Sequence, residues 1–327
     1  MLDVVAIGEL LIDFTCTAQD SQGFPILAAH PGGAPANFLA ALAKFGAGTA
    51  LLGKVGDDSF GHLLHDTLAQ AGICTDGLVL DDAVFTTLAF VTLDKAGERT
   101  FSFARKPGAD TQLRFDELDL SLIEQAKVFH FGSLSLTHEP ARTATRQAVA
   151  YAKSLGKLIT FDPNLRLPLW PDPDTAKAEI LWGMAQADVV KLSEDEVAFL
   201  FGLDPEQGAK HIRSCWGTKL VFVTCGANGC WFESPLACGH VDAPRGIEAV
   251  DTTGAGDIFG GSAVWKLLQA EKQPDLLTED ELLDLVRFSC AAATLSTGTP
   301  GGLPSVPDCE EVRRLLASSD FKENENG

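Results

Sequence analysis

The sequence predicts an α/β fold: a mostly parallel central sheet flanked by helices on both faces, with a small β-sheet lid. Three observations lead there. Short apolar, β-branched runs alternate with amphipathic stretches of helical length, as in parallel strands joined by helical crossovers. Two segments rich in Thr, Val and Phe break that alternation near residue 95 and read as an antiparallel pair outside the main sheet. The last third changes to long helical patterns and a Gly/Pro-rich loop.

Taken in order, the core strands are expected at Val4–Gly8, Ala50–Val55, Lys127–Gly132, Lys157–Asp162, Asp188–Leu192 and Leu220–Thr224. Helices are expected over Ala36–Phe45, His62–Ala71, Glu139–Leu155 and Asp174–Ala187, then over Asp257–Leu268 and Thr278–Thr297. The hairpin comprises Val84–Leu93 and Arg99–Phe103, turning at Asp94–Glu98. The non-helical stretch Phe14–Pro31 is expected to add strands to it. Residues 1–327 then form one unit, with lid strands from about 14–31 and 84–107, because no repeat, low-complexity tract or linker divides the chain. The polar tail Phe321–Gly327 is expected to be disordered.

Composition narrows the function. An apolar share of 46% with 21% charged residues suits a globular protein with a full core. No uncharged apolar run reaches 18 residues, so no membrane-spanning helix is expected. The N-terminus has an early acid and no basic region, and reads as a buried first strand rather than a signal peptide. A cytoplasmic location follows as the expectation. A formal charge of -20 disfavours nucleic acid and anionic membrane as partners. Any anionic ligand must therefore meet positive potential supplied locally, by helix N-termini, Arg, Lys or a divalent cation. The eight cysteines contain no C-x-x-C pair and the seven histidines no metal spacing, so reduced, mostly buried thiols are expected. Cys225, Cys230 and Cys238 fall in a segment that reads as a hairpin and are assigned no function.

The chemistry concentrates in Asp251-Thr252-Thr253-Gly254-Ala255-Gly256-Asp257, directly before a helix. Small residues bring bare backbone close to a ligand, and the first N–H groups of the helix are unpaired and aimed at it. This is an anion site strengthened by the helix dipole. Asp257, in the first turn, is placed to take a hydroxyl proton as phosphoryl transfer begins, although a plain helix-start acid is also consistent with that position.

Asp251–Asp257 resembles the signature of ribokinase-like (PfkB-type) carbohydrate kinases. Pro31-Gly32-Gly33-Ala34-Pro35-Ala36-Asn37 before an Ala/Leu-rich helix resembles that family's second signature, about 220 residues earlier. The resemblance runs from Asp3 to about Leu316. It implies a ribokinase-like fold, ATP and Mg²⁺ as cofactors, and transfer of the γ-phosphoryl group to a sugar's primary hydroxyl. Asp257 is then the base, and Gly254, Ala255 and Gly256 form the anion hole.

The same resemblance assigns further positions. Asp13, placed at the end of the first strand, Gly32, Gly33 and Asn37 would bind the sugar. Phe103 and Arg105, on the lid strand, would close over it. Arg166, in Asp162-Pro163-Asn164-Leu165-Arg166, would meet the phosphoryl group or sugar. Glu196 matches the family's N-x-x-E motif, which organises Mg²⁺ through water. Ser193 stands where Asn is usual, and Ser193 and Glu196 also have the spacing of a helix capping box. Lys191, Thr224, Gly226 and Gly229 would contact the nucleotide. Asp251, Thr253, Ser296, Thr299, Gly301 and Ser305 match a monovalent-cation site for K⁺. Family lids pair, which implies a homodimer through the lid.

The Pro31–Asn37 and Gly97–Phe103 wording resembles bacterial fructokinases most closely. That implies D-fructose, phosphorylated at the 6-hydroxyl, with 2-keto-3-deoxygluconate or another sugar of the family as the alternative. A catalytically silent sugar-binding relative is the reading from a different class. A nicotinamide dehydrogenase would need G-x-G-x-x-G after the first strand, where the chain has Gly8-Glu9-Leu10-Leu11-Ile12-Asp13.

Overall fold

All six expected core strands are present in the computed structural model, each with ends within one residue of those read from the sequence. The structure describes residues 2–93 and 99–317. The expected turn at Asp94–Glu98 and the tail Phe321–Gly327 lie outside the described residues.

In chain order the strands are β1 (Val4–Ile7), β2 (Leu11–Gln19), β3 (Pro25–Gly32), β4 (Thr49–Gly56), β5 (Ile73–Cys74), β6 (Leu78–Asp81) and β7 (Leu88–Leu93). They continue with β8 (Arg99–Ala104), β9 (Val128–Gly132), β10 (Leu158–Asp162), β11 (Val189–Ser193), β12 (Leu220–Thr224), β13 (Cys230–Glu233) and β14 (Cys238–Val241). The main sheet has the order β14-β13-β12-β11-β10-β9-β1-β4-β5, with β6 also paired to β4. Its pairings are parallel except at β12–β13–β14, where the cysteine-containing segment forms the expected antiparallel hairpins.

Alternation along each strand divides the core. Val5, Ile7, Phe129, Phe131, Ile159 and Phe161 face one helical layer, which includes Ala141–Ser154 and Pro173–Gln186. Val4, Ala6, Leu51 and Val128 face the other, which includes Ala34–Lys44 and Ala255–Ala270. Burial on both faces explains why these strands read as continuous apolar runs. The order reverses beside β1: β4 lies on one side, and β9 to β12 step away on the other. Ligands of open α/β sheets bind at such a switch point, beyond the carboxyl ends of the strands.

The lid is a separate four-stranded sheet, β3-β2-β7-β8. Three expectations about it are corrected. The N-terminal apolar run is two strands in different sheets, because the chain leaves the core after Ile7 and enters the lid at Leu11. Asp13 therefore belongs to lid strand β2, not to the end of the first strand. The first hairpin segment starts at Leu88 rather than Val84, because its leading backbone is engaged elsewhere: the Thr86 N–H donates to Asp58 Oδ2 (2.8 Å) and the Val84 N–H to Asp81 Oδ1 (3.2 Å). Finally, β8 ends at Ala104, so the lid strand does not reach 107.

Candidate active site

Two glycine-led helices meet across the switch point. Ala34–Lys44 packs on Ala255–Ala270 so closely that a Cβ on Gly261 would stand 2.4 Å from the Phe38 carbonyl oxygen. Their N-terminal ends are equally close: a Cβ on Gly254 would lie 2.9 Å from Gly302 Cα and 3.1 Å from Asn37 Nδ2. This contact brings the two sequence signatures together. Asn37 Nδ2 donates to Asp257 Oδ2 at 2.9 Å.

The second helix begins in a form suited to an anion. Gly254, its N-cap residue, has φ 78, and no side chain caps the helix. The Ala255 N–H reaches the Thr252 carbonyl at 3.3 Å, and among the described residues the N–H groups of Gly256 and Asp257 donate to no protein acceptor. Lys191 lies beneath, its Nζ 2.8 Å from where a Cβ on Gly256 would stand. It pairs with Asp162 Oδ2 at 2.9 Å. Burial works against its charge, but Asp162, Glu196 and Asp257 outweigh burial and push its pKa up to about 12. A buried ammonium thus adds to the helix dipole.

Burial and the Asp162 charge push Asp257 up to about 7, although the Asn37 amide, Lys191 and Arg166 pull the other way. A carboxyl near neutrality is matched to taking a proton from an alcohol. Behind it lies a cavity of about 20 Å³, with room for one water, lined in part by Phe38, His130, Phe161 and Phe222. His130 stacks on Phe38 (centroids 3.8 Å apart) and is held neutral, its pKa lowered to about 3 by burial and then by Lys191.

The lid presents a row of residues in register, His30, Asp13, Ala89 and Phe103, on one face of the sheet. Asp13 and Phe103, distant in sequence, are thus two strands apart. A Cβ on Gly32 would stand 2.2 Å from Asp13 Oδ2, and one on Gly33 (φ 122) 2.5 Å from the Glu9 carbonyl oxygen. Gly33 is therefore required by its backbone, while a side chain at Gly32 would displace the Asp13 carboxyl. Burial raises Asp13 to about 6, with Arg166 opposing and Asp251 adding. Arg166 is exposed, donates to the Leu165 carbonyl at 3.1 Å, and acts electrostatically on both Asp13 and Asp257.

Other expected site residues are engaged within the protein. Arg105 follows the end of β8 and is 3% exposed. Its guanidinium bonds Asp110 Oδ2 (2.8 Å), Thr137 Oγ1 (2.8 Å) and the Leu134 carbonyl (3.0 Å). This corrects the expectation of a lid-strand residue closing over the substrate; Arg105 braces the base of the lid. Both Glu196 oxygens accept backbone N–H groups, from Leu165 at 2.7 Å and Ser193 at 2.8 Å, and the capping box with Ser193 is present. Thr224 Oγ1 donates to the Leu192 carbonyl at 3.3 Å. Gly226 (φ 53) faces open space, whereas Gly229 (φ 88) passes so close to Val241 that a Cβ would meet its carbonyl oxygen at 1.9 Å. Asp251 accepts from the Thr253 N–H (3.0 Å) and hydroxyl (2.7 Å) and from the Gly301 N–H (2.9 Å). It thereby joins the Asp251–Thr253 segment to the loop after Ser296. The Thr299 N–H donates to the Ser296 carbonyl, and the Ser296 and Ser305 hydroxyls donate within their own turns.

Sequence reasoning noted Asp162 and Asn164 in the stretch quoted for Arg166 but gave them no role; Asn164 Nδ2 donates to Asp257 Oδ1 at 3.2 Å, and Asp162 is the partner of Lys191. It missed Glu9, whose Oε1 accepts the Ala34 N–H at 3.0 Å. Asp-Pro-Asn after a strand is a turn signal that could have singled out Asn164. A lone buried Glu such as Glu9 has no local pattern.

Residues 1–309 match the pfkB family of carbohydrate kinases. The chain is 42% identical over 320 residues to a probable fructokinase-4 of Arabidopsis thaliana, covering 96% of each chain. It is 43% identical over 323 residues to fructokinase-2 of Solanum habrochaites, covering 96% of this chain and 95% of the relative. Among solved structures, fructokinase from Xylella fastidiosa with bound ATP superposes with a TM-score of 0.87 at 31% identity, covering 97% and 98% of the two chains. The fructose-, ADP- and calcium-bound fructokinase of Vibrio cholerae superposes with a TM-score of 0.85 at 32% identity, covering 96% and 99%. The chain belongs to the pfkB family of carbohydrate kinases.

Proposed function

We propose that this protein is an ATP-dependent fructokinase that transfers the γ-phosphoryl group to the 6-hydroxyl of D-fructose. The observation that carries the reading is the joining of the two signatures: an acid of raised pKa at the mouth of an uncapped helix N-terminus, hydrogen-bonded to the Gly-Gly helix. The names of the fructokinase relatives support fructose among the sugars of the family.

Asp13, Gly32, Gly33 and Asn37 bind the sugar, and Phe103 covers it from the lid. Asp257 takes the proton of the primary hydroxyl as the new O–P bond forms. The Gly254–Gly256 backbone, Lys191 and Arg166 stabilise charge on the moving phosphoryl group, which supplies most of the acceleration in such transfers. Thr224 and Gly226 border the nucleotide, with Gly229 shaping that loop. Both Glu196 oxygens already hold backbone donors, so Glu196 would hold Mg²⁺ only through water. The ion, when bound, would supply positive charge against the terminal phosphates. The residues also fit K⁺: Asp251 ties together the segments bearing Thr253, Thr299 and Gly301, and the Ser296 and Ser305 oxygens stand nearby in the chain. Such an ion would steady the anion hole.

We read residues 1–327 as a single kinase domain that pairs through its lid. Phe24, Ile26 and Leu27, at 62%, 48% and 39% exposure on or beside edge strand β3, support a homodimer. A cytoplasmic location is consistent with the unpaired cysteines. Among the described residues no helix is long and apolar enough to cross a membrane.

A panel of sugars in a coupled ADP-release assay tests the substrate. Fructose is expected to have the highest kcat/KM, and about tenfold higher kcat/KM for 2-keto-3-deoxygluconate or another sugar would replace it.

A further inference from the structure

We infer that Asn164 is a positioning residue for phosphoryl transfer, its side-chain amide acting with that of Asn37 to hold the Asp257 carboxylate in its reacting orientation. This rests on Asp257 being the base. The terminal torsion of an aspartate is broad, so a single donor leaves the carboxylate free to swing. Here the two oxygens are held separately, Oδ2 by Asn37 Nδ2 at 2.9 Å and Oδ1 by Asn164 Nδ2 at 3.2 Å. The two amides come from opposite halves of the chain, one from the Gly-Gly helix and one from the loop after β10.

The backbone of that loop makes the same point. Asn164 has φ 46, a left-handed value shared by only one other non-glycine residue among those described, Glu271. Such a conformation persists when the surroundings over-determine it. Every neighbour is pinned: the Pro163 carbonyl accepts from both the Ser133 N–H and its hydroxyl, the Asn164 N–H donates to Asp162 Oδ1, and the Leu165 N–H to Glu196 Oε1. Glycine would make this turn at lower cost. Asparagine tolerates the conformation and adds an amide that lands on Asp257.

The charges around Asp257 make the amides consequential. Asp162, at the end of β10, disfavours the ionised carboxylate. Lys191 on β11 and Arg166 beyond the loop favour it, while Glu196 acts on the site through Lys191. The two amides are neutral donors to a negative acceptor, so both favour the ionised form that accepts a proton.

Asn164→Gly removes the amide while easing the backbone, so its Tm is expected to equal or exceed that of the parent. Its kcat is expected to fall about tenfold or more, as for loss of one hydrogen bond to a charged group. KM for fructose and ATP should stay within about twofold, and the acid limb of the kcat–pH profile should move up by about one pH unit. Asn164→Asp places a like charge there and should move that limb further, with activity recovering at alkaline pH. An unchanged kcat in Asn164→Gly, or a fall that leaves the acid limb in place, overturns the inference and leaves Asn164 a turn residue. Asp257→Asn is assayed in parallel. If that variant still turns over, the base assignment itself fails. If it is silent and Asn164→Gly behaves as the parent, only the role of Asn164 is lost.

Discussion

The two glycine-led helix N-termini at the centre of this protein look alike in sequence and are built for opposite ends. At Ala34–Lys44 the first two positions are closed: Glu9 Oε1 accepts the Ala34 N–H, and Pro35 has no N–H to offer. At Ala255–Ala270 the terminus is open, with no capping side chain, with Lys191 close to Gly256, and with the Gly256 and Asp257 N–H groups donating to no protein acceptor among the described residues. Unsatisfied N–H groups attract an anion, and an N–H already taken by a carboxyl oxygen is not available to one. The difference would let a chain of charge -20 favour one of two adjacent helix ends for an anion. It also teaches that a Gly-Gly before a helix signals close backbone approach, not phosphate binding in itself.

Removing the acid of the open terminus should have the largest effect. Asp257→Asn is expected to lower kcat by about 10²–10⁴-fold, the usual contribution of a general base, with fructose Kd within about threefold by calorimetry. Turnover close to the parent's would mean that the open terminus works without its acid. Next come paired glycine substitutions, which should act in opposite ways at the two ends. Gly33→Ala forces a side chain at φ 122 to within 2.5 Å of the Glu9 carbonyl, a rigid backbone atom. We expect a stability loss of about 2–4 kcal/mol in urea melts. At Gly256 a Cβ meets only the flexible Lys191 ammonium at 2.8 Å. Gly256→Ala should therefore fold as well as the parent or better, and alanine is favoured over glycine in a helix. Its kcat/KM for ATP should drop about tenfold as the ammonium is displaced. Equal stability losses in the two variants would remove the distinction between a closed and an open end.

What the sequence made legible follows the same division. The open terminus was readable because its parts are contiguous: small residues, a helix start and an acid in the first turn occupy Gly254–Asp257. The core strands were readable because burial on both faces leaves unbroken apolar runs. Contacts made by tertiary packing were not readable. Nothing local to Glu9 says that its carboxylate reaches Ala34, 25 residues on, and nothing local to Asn164 says that its amide finds Asp257, 93 residues on. Arg105 shows the reverse error. The resemblance put it on the lid strand, closing over the substrate, yet its partner Asp110 lies just after the strand and draws it inward. The apolar run over residues 4–14 misled for a simpler reason: two short buried strands in different sheets look like one long strand when the break between them, at Gly8–Leu10, is itself buried.

The smallest expected effect concerns the group that closes the first terminus. Glu9 is 3% exposed, and burial raises its pKa from 4.5 to about 7, with Arg105 and the Ala34 N–H opposing and Asp110 adding. Below pH 4.5 the folded and unfolded chains both carry the proton, and the side chain contributes no pH dependence. Between 4.5 and about 7 the unfolded chain has released the proton and the folded chain has not, so stability falls as pH rises. Above 7 both are ionised and the loss is complete. Glu9→Gln keeps an oxygen that accepts the Ala34 N–H but cannot ionise. Relative to the parent it should gain less than about 1 kcal/mol at pH 5 and up to about 3 kcal/mol at pH 8, measured as urea stability across that range. Its kcat should change less than about twofold, because the helix start that carries Asn37 stays capped. A stability difference that does not grow with pH would mean that Glu9 is not held as a buried acid, and the contrast between the two termini would then rest on Pro35 alone.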